Sequence, residues 1–147
     1  MNKAKAILAA IGVAAAIPLS GISAEASDVH VYKSPSCGCC GAWVDHLRAN
    51  GFTVIVEDTE DLDPVKQRFG VPGPLQSCHT ATIEGYAIEG HVPAPDIRRL
   101  LIERPEAAGV AVPGMPTGSP GMEQDGRREP YATILFGPDG QSIYARH

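Results

Sequence analysis

Three of the four cysteines of this chain fall within four positions, in Ser36-Cys37-Gly38-Cys39-Cys40-Gly41, and the fourth, Cys78, is followed at once by His79. Structural disulfides usually join distant parts of a chain, whereas thiols this close form reactive pairs or wrap a soft metal ion. Cys37 and Cys40 have the two-residue spacing of a thioredoxin-type redox motif, but Cys39 puts a third thiol between them. An extra thiol scrambles a two-cysteine redox cycle and adds a ligand for a thiophilic ion. Zinc would take a tetrahedral set drawn from Cys37, Cys39 or Cys40, Cys78 and His79. Cu(I) prefers thiolate and thioether and accepts low coordination numbers, which suits adjacent cysteines on a turn and allows several ions to share bridging sulfurs. Met115 and Met122, in the segment Gly114-Met115-Pro116-Thr117-Gly118-Ser119-Pro120-Gly121-Met122-Glu123, add soft ligands, and copper becomes the leading expectation. His91, just past an expected hairpin, is a further candidate, whereas His30 and His46 are expected to face solvent. Metal and oxidant compete for the same thiolates, so air-oxidised protein is expected to carry a disulfide within the Cys37–Cys40 group and to bind no copper until reduced.

The cysteines need an element to hold them. Asp28 to Lys33 alternates apolar Val29 and Val31 with polar neighbours, as a strand does, and Ser34-Pro35-Ser36 ends it. From Cys40, Trp43, Val44 and Leu47 recur at helical spacing until Asn50-Gly51. The cysteines therefore sit where a strand feeds a helix, and the helix dipole and unpaired N–H groups there lower thiol pKa values. Phe52 to Glu57 reads as a second strand, Asp63-Pro64 opens a short helix, Thr80–Ile83 and Tyr86–Glu89 form a hairpin, and Pro95 opens an amphipathic helix ended by Pro105. The order β-α-β-α-β-β-α predicts an α/β, thioredoxin-like fold, a mixed β-sheet with flanking helices. Residues 106–130, with five glycines and four prolines, are expected to be a long loop without helix or strand. Tyr131–Phe136 and Gln141–Tyr144 read as a C-terminal hairpin.

Residues 1–26 read as a secretory signal peptide: Lys3 and Lys5, an apolar run from Ala6 to Ile17, then Ala24-Glu25-Ala26 as a cleavage site. The apolar run is short for a spanning helix, so no stable membrane insertion is expected after cleavage. Residues 27–147 would then be one metal-binding domain with 10 basic and 16 acidic side chains, a net charge of −6 that argues against nucleic acid as a partner.

The segments Cys37-Gly38-Cys39-Cys40-Gly41, Cys78-His79-Thr80, Glu89-Gly90-His91-Val92-Pro93 and Gly114 to Glu123 resemble, in that order, family 411 of the domains of unknown function, which includes a bacterial periplasmic copper-resistance protein. The resemblance covers nearly all of residues 29–144. It implies a thioredoxin-like fold, a periplasmic location and copper held through the cysteine motif. Copper-export or copper-chaperone proteins are the expected protein partners of such a copper-binding chain. Three functional classes stand at this point. The first is a copper-binding protein of copper homeostasis, with copper or thiol redox cycling as an added step. The second is a thiol-disulfide oxidoreductase using Cys37 and Cys40. The third is a zinc- or disulfide-stabilised interaction domain.

Overall fold

The computed structural model describes residues 27–147, so the leader expected over residues 1–26 lies outside the described residues. The elements run β1 (Val29–Lys33), α1 (Gly38–Ala49), β2 (Val54–Asp58), α2 (Asp63–Arg68), β3 (His79–Ile83), β4 (Tyr86–Glu89), α3 (Ala94–Glu103), β5 (Gly109–Ala111), β6 (Ala132–Gly137) and β7 (Gly140–Arg146), with a 3₁₀ turn at Gly73–Leu75. The strands form one mixed seven-stranded sheet in the order β2-β1-β3-β4-β5-β6-β7. β1 runs parallel to β2 and antiparallel to β3. β4 is antiparallel to β3 and parallel to β5. No helix among the described residues is long and apolar enough to cross a membrane.

Periodicity explains which faces are buried. Val29 and Val31 are fully buried while His30 between them is exposed, the two-residue alternation of a strand. On α1, Cys40, Trp43, Val44 and Leu47 form a stripe at i, i+3, i+4 and i+7. That stripe packs with Ile97 and Leu100 of α3 on Val29, Val31, Ala81 and Ile88 of the sheet. The opposite face buries Ala87, Ala111 and Phe136 beneath Val71 and Leu75, which follow α2. All four residues of β4 are buried, Ile88 towards one layer and Ala87 towards the other, as befits a strand covered on both faces.

Two expectations need correction. The segment 106–130 is not free of regular structure, because β5 lies within it and pairs with both β4 and β6. A three-residue strand is too short to show a period, and it opens on Gly109, where an added Cβ would lie 2.0 Å from the Ala87 carbonyl oxygen. The glycine marks a close backbone approach. Through β5 the C-terminal hairpin of β6 and β7 extends the main sheet. His46, expected in solvent, is half-buried, and its Nε2 accepts the Ala94 N–H at 3.2 Å. It satisfies one of the donors left free at the start of α3, whose N-cap residue Pro93 provides no side-chain cap.

Candidate metal centre

Strand register brings the cysteines together. Lys33, the last residue of β1, pairs with His79, so Cys78 arrives beside the turn that opens α1. Thr80 pairs with Glu89, which places His91, two residues beyond, next to Cys78. Cys37 is the N-cap of α1, with extended backbone angles, and its carbonyl accepts the Gly41 N–H at 3.2 Å. Cys39 and Cys40 therefore occupy the first turn, where unpaired N–H groups and the helix dipole favour negative charge.

Cys37 and Cys40 are joined by a disulfide across 5.4 Å between Cα atoms, while Cys39 and Cys78 are free thiols. Cys40 is fully buried, and the Cys39 sulfur lies 3.5 Å from that of Cys37. All four sulfurs fall within 4.8 Å of one another. A second set shares Cys78: its Sγ stands 3.3 Å from His79 Nδ1 and 3.1 Å from His91 Nε2. Burial pushes the Cys78 thiol up to about 11, with the neighbouring Cys39 adding to the rise. Burial also holds His79 well below the usual histidine value, helped by His91 and Lys66, and lowers His91. Both imidazoles are neutral at pH 7 and keep a lone pair for a metal.

The surroundings fix these donors. The Trp43 ring packs on His79 with centroids 4.4 Å apart, and its indole N–H donates to the Val92 carbonyl at 2.9 Å. His91 donates from Nδ1 to the Pro120 carbonyl at 2.8 Å. The Ser77 N–H donates to Glu89 Oε1 at 2.6 Å, and the Ser77 hydroxyl donates to the Gly114 carbonyl at 2.5 Å. The 114–122 loop is thereby tied at both ends to residues flanking Cys78 and His91. Gly121, at φ +84°, lies so close to α1 that an added Cβ would sit 2.8 Å from the Cys39 carbonyl oxygen. Met115 and Met122 line a shallow hollow of about 500 Å³ with Gly38, Cys39 and Ala42. Met115 is half exposed and Met122 half-buried. Another hollow of about 510 Å³ lies between Pro120, Arg128, Tyr131 and His147, but it holds no sulfur ligand.

The structure thus brings Cys37, Cys39, Cys40, Cys78, His79 and His91 into one cluster and sets Met115 and Met122 along its outer edge. His30 stands exposed on β1. Sequence reasoning missed the buried ion pair of Lys66 with Glu89, at 2.6 Å, which also binds Thr80 and Ser77. Its signal was a lone glutamate inside the otherwise apolar Tyr86–Glu89 run. The donors fit a copper ion. The set is rich in sulfur, His79 Nε2 is buried without a hydrogen-bond partner among the described residues, and His79 Nδ1 faces the Cys78 sulfur at 3.3 Å.

The profile of the family described as "Protein of unknown function, DUF411" matches residues 75–122. Two solved structures of a copper resistance protein, CopG, are similar to this chain. Form 2 is 45% identical with a TM-score of 0.80, covering 84% of this chain and 99% of that chain. Form 1 is 45% identical with a TM-score of 0.79, covering 84% and 98%. No curated protein matches the sequence. A sulfur cluster in a relative of copper resistance proteins fits copper binding. With this identity along almost the full length of both solved structures, the chain belongs to the DUF411 family of CopG-like copper resistance proteins.

Proposed function

We propose that this protein is a periplasmic copper-binding protein of copper homeostasis that holds more than one Cu(I) ion as its cargo. The observation that carries the reading is the set of four sulfurs within 4.8 Å at a helix N-terminus, continued through Cys78 to two buried imidazoles. Four thiolates that can each bridge exceed what one low-coordinate ion needs. Reduction of the Cys37–Cys40 bond by two electrons and two protons makes all four available. Cys37, Cys39, Cys40 and Cys78 then hold the ions, His79 and His91 complete the inner side, and Met115 and Met122 close the outer side with thioethers. Residues 1–26 act as the export signal and residues 27–147 as a single domain, in which β1 to α3 follow the thioredoxin order. Copper passes to or from export or chaperone proteins at the half-buried Cys39 edge. Anaerobic titration against a chromogenic Cu(I) chelator tests the ligand set. Cys37→Ser, Cys39→Ser and Cys40→Ser each lower the capacity while His30→Ala leaves it unchanged; equal capacity in all four variants would refute it.

A second reading is favoured by one observation, the Cys37–Cys40 disulfide at the start of α1, which is where a thiol-disulfide oxidoreductase keeps its reactive pair. Reduction of insulin disulfides at a rate comparable to thioredoxin, without metal binding, would put that activity first.

A further inference from the structure

We infer that Glu89 is a positioning residue of the metal centre: its carboxylate, held by Lys66, clamps the chain on both sides of Cys78-His79 and so sets where those donors stand relative to His91. The inference rests on the copper-binding reading and names what keeps the donors of that site in place. None of the three groups that donate to Glu89 is a ligand in that reading, so the residue acts through others.

Glu89 is fully buried, and its carboxylate joins three parts of the chain. Oε1 accepts the Ser77 N–H and the Lys66 ammonium, each at 2.6 Å, and Oε2 accepts the Thr80 hydroxyl at 2.7 Å. Lys66, on α2, also donates to Thr80 Oγ1 at 3.1 Å. Ser77 and Thr80 stand immediately before and after Cys78-His79, so one side chain grips both ends of that dipeptide. The grip extends to the other donors. Glu89 ends β4 two residues before His91, and the Gly90 N–H between them donates to the His79 carbonyl at 3.1 Å. Gly90, at φ +70°, lets Ser77 come close, since an added Cβ would lie 2.7 Å from the Ser77 Cβ. The Ser77 hydroxyl in turn holds the Gly114 carbonyl, next to Met115.

Holding the strands together does not account for this pair. Taking a carboxylate and an ammonium out of water is costly, and apolar side chains of similar size in their place are often as stable or more so. β3 and β4 are already joined by their ladder, in which Thr80 pairs with Glu89. What the ladder leaves unset is Ser77 and Cys78, because β3 begins only at His79. The Ser77 N–H lies outside the ladder and takes the Glu89 carboxylate as its acceptor, which fixes the chain one residue before Cys78. Groups that orient metal ligands from outside contribute about 10–100-fold to metal affinity. A carboxylate with several acceptor sites suits the task, since it takes an N–H, a hydroxyl and an ammonium at once.

The test compares two double variants of the reduced protein by anaerobic competition against a Cu(I) chelator. Lys66→Met with Glu89→Gln removes both charges but keeps an acceptor for the Ser77 N–H and a partner for the Thr80 hydroxyl. Lys66→Met with Glu89→Leu removes the charges and the acceptor together. The first should bind Cu(I) with nearly wild-type affinity, and the second should lose about 10–100-fold. In reduced, copper-free protein, iodoacetamide should also modify Cys78 faster in the second variant than in the first, at an unchanged rate at Cys39. Should the Glu89→Leu protein fail to fold, Thr80→Val takes its place, because it removes only the hydroxyl that Glu89 Oε2 accepts; it should weaken Cu(I) binding about tenfold. Wild-type affinity in the Glu89→Leu variant, or in Thr80→Val where that variant does not fold, overturns the inference and leaves the cargo reading standing. Equal losses in the two double variants overturn it as well, since the acceptor would then not be what matters. Failure of the wild-type protein to bind Cu(I) overturns the cargo reading itself.

Discussion

Adding one methyl group at Gly121 should disturb the site more than adding one at Gly114 of the same loop. Gly121 has φ +84°, and a Cβ there would lie 2.8 Å from both the Cys39 carbonyl oxygen and the Trp43 nitrogen, backbone atoms that cannot swing away. Gly114 has a comparable φ of +69°, but a Cβ there meets nothing within 4 Å. Both alanine variants pay for the left-handed backbone, about 1–2 kcal/mol. Only Gly121→Ala adds overpacking, about 1–3 kcal/mol. Gly121→Ala should therefore unfold at lower urea than Gly114→Ala, by about 1–3 kcal/mol if the loop stays docked. If the loop lifts instead, it forfeits the His91–Pro120 hydrogen bond and carries Met122 away from Cys39. The loss then appears as faster proteolysis within residues 113–122 and faster transfer of copper to a chelator. Identical urea midpoints, proteolysis and copper transfer for the two variants would refute the claim that the loop is seated on α1 through Gly121.

Other consequences are equally open to measurement. Lys66→Met leaves Glu89 buried without its cation and should cost about 3–5 kcal/mol at pH 8. Burial already raises the Glu89 carboxyl, so in that variant folded protein binds a proton that unfolded protein releases above about pH 4.3, and stability falls as pH rises from there. Urea curves at pH 5 and pH 8 that show an equal, small loss would contradict this. His46 must be neutral to accept the Ala94 N–H; burial lowers its pKa, Glu123 opposes the shift and Arg98 reinforces it. Unfolded protein therefore binds the proton more readily, and the stability His46 contributes is present above about pH 6.5 and is lost as pH falls through its lower folded value. His46→Ala should accordingly destabilise metal-free protein more at pH 8 than at pH 5; an equal effect at both would show that the imidazole acts by packing alone. A Met115→Leu, Met122→Leu double variant keeps the apolar volume nearly constant and removes only sulfur. Weaker Cu(I) retention with unchanged thermal stability of the metal-free protein is expected, and unchanged retention would assign both methionines to packing.

Local patterns were legible and long-range partnerships were not. Val29 and Val31, or Trp43, Val44 and Leu47, announce a strand and a helix within a few residues because their burial repeats at the period of the element. The Cys37, Cys39 and Cys40 group is local in the same sense. β5 was invisible because three residues cannot display a period, and its pairing depends on Gly109 meeting Ala87 some twenty residues earlier. His46 looks like any polar residue on an exposed helix face until α3 delivers Ala94 to it. The Lys66–Glu89 pair joins a helix to a strand across 23 positions; the apolar run before Glu89 hints at its burial, but nothing near either residue names its partner. Cys78 and His91 were each readable as candidates. Their contact at 3.1 Å arises from the β1–β3–β4 register, which no single segment specifies.

The central claim is that this sulfur cluster takes more than one Cu(I) in preference to zinc. Reduced protein, held without oxygen and offered both ions in equal excess, should retain more than one copper per chain and no stoichiometric zinc after gel filtration, by elemental analysis. One zinc per chain with copper left in solution would contradict the account.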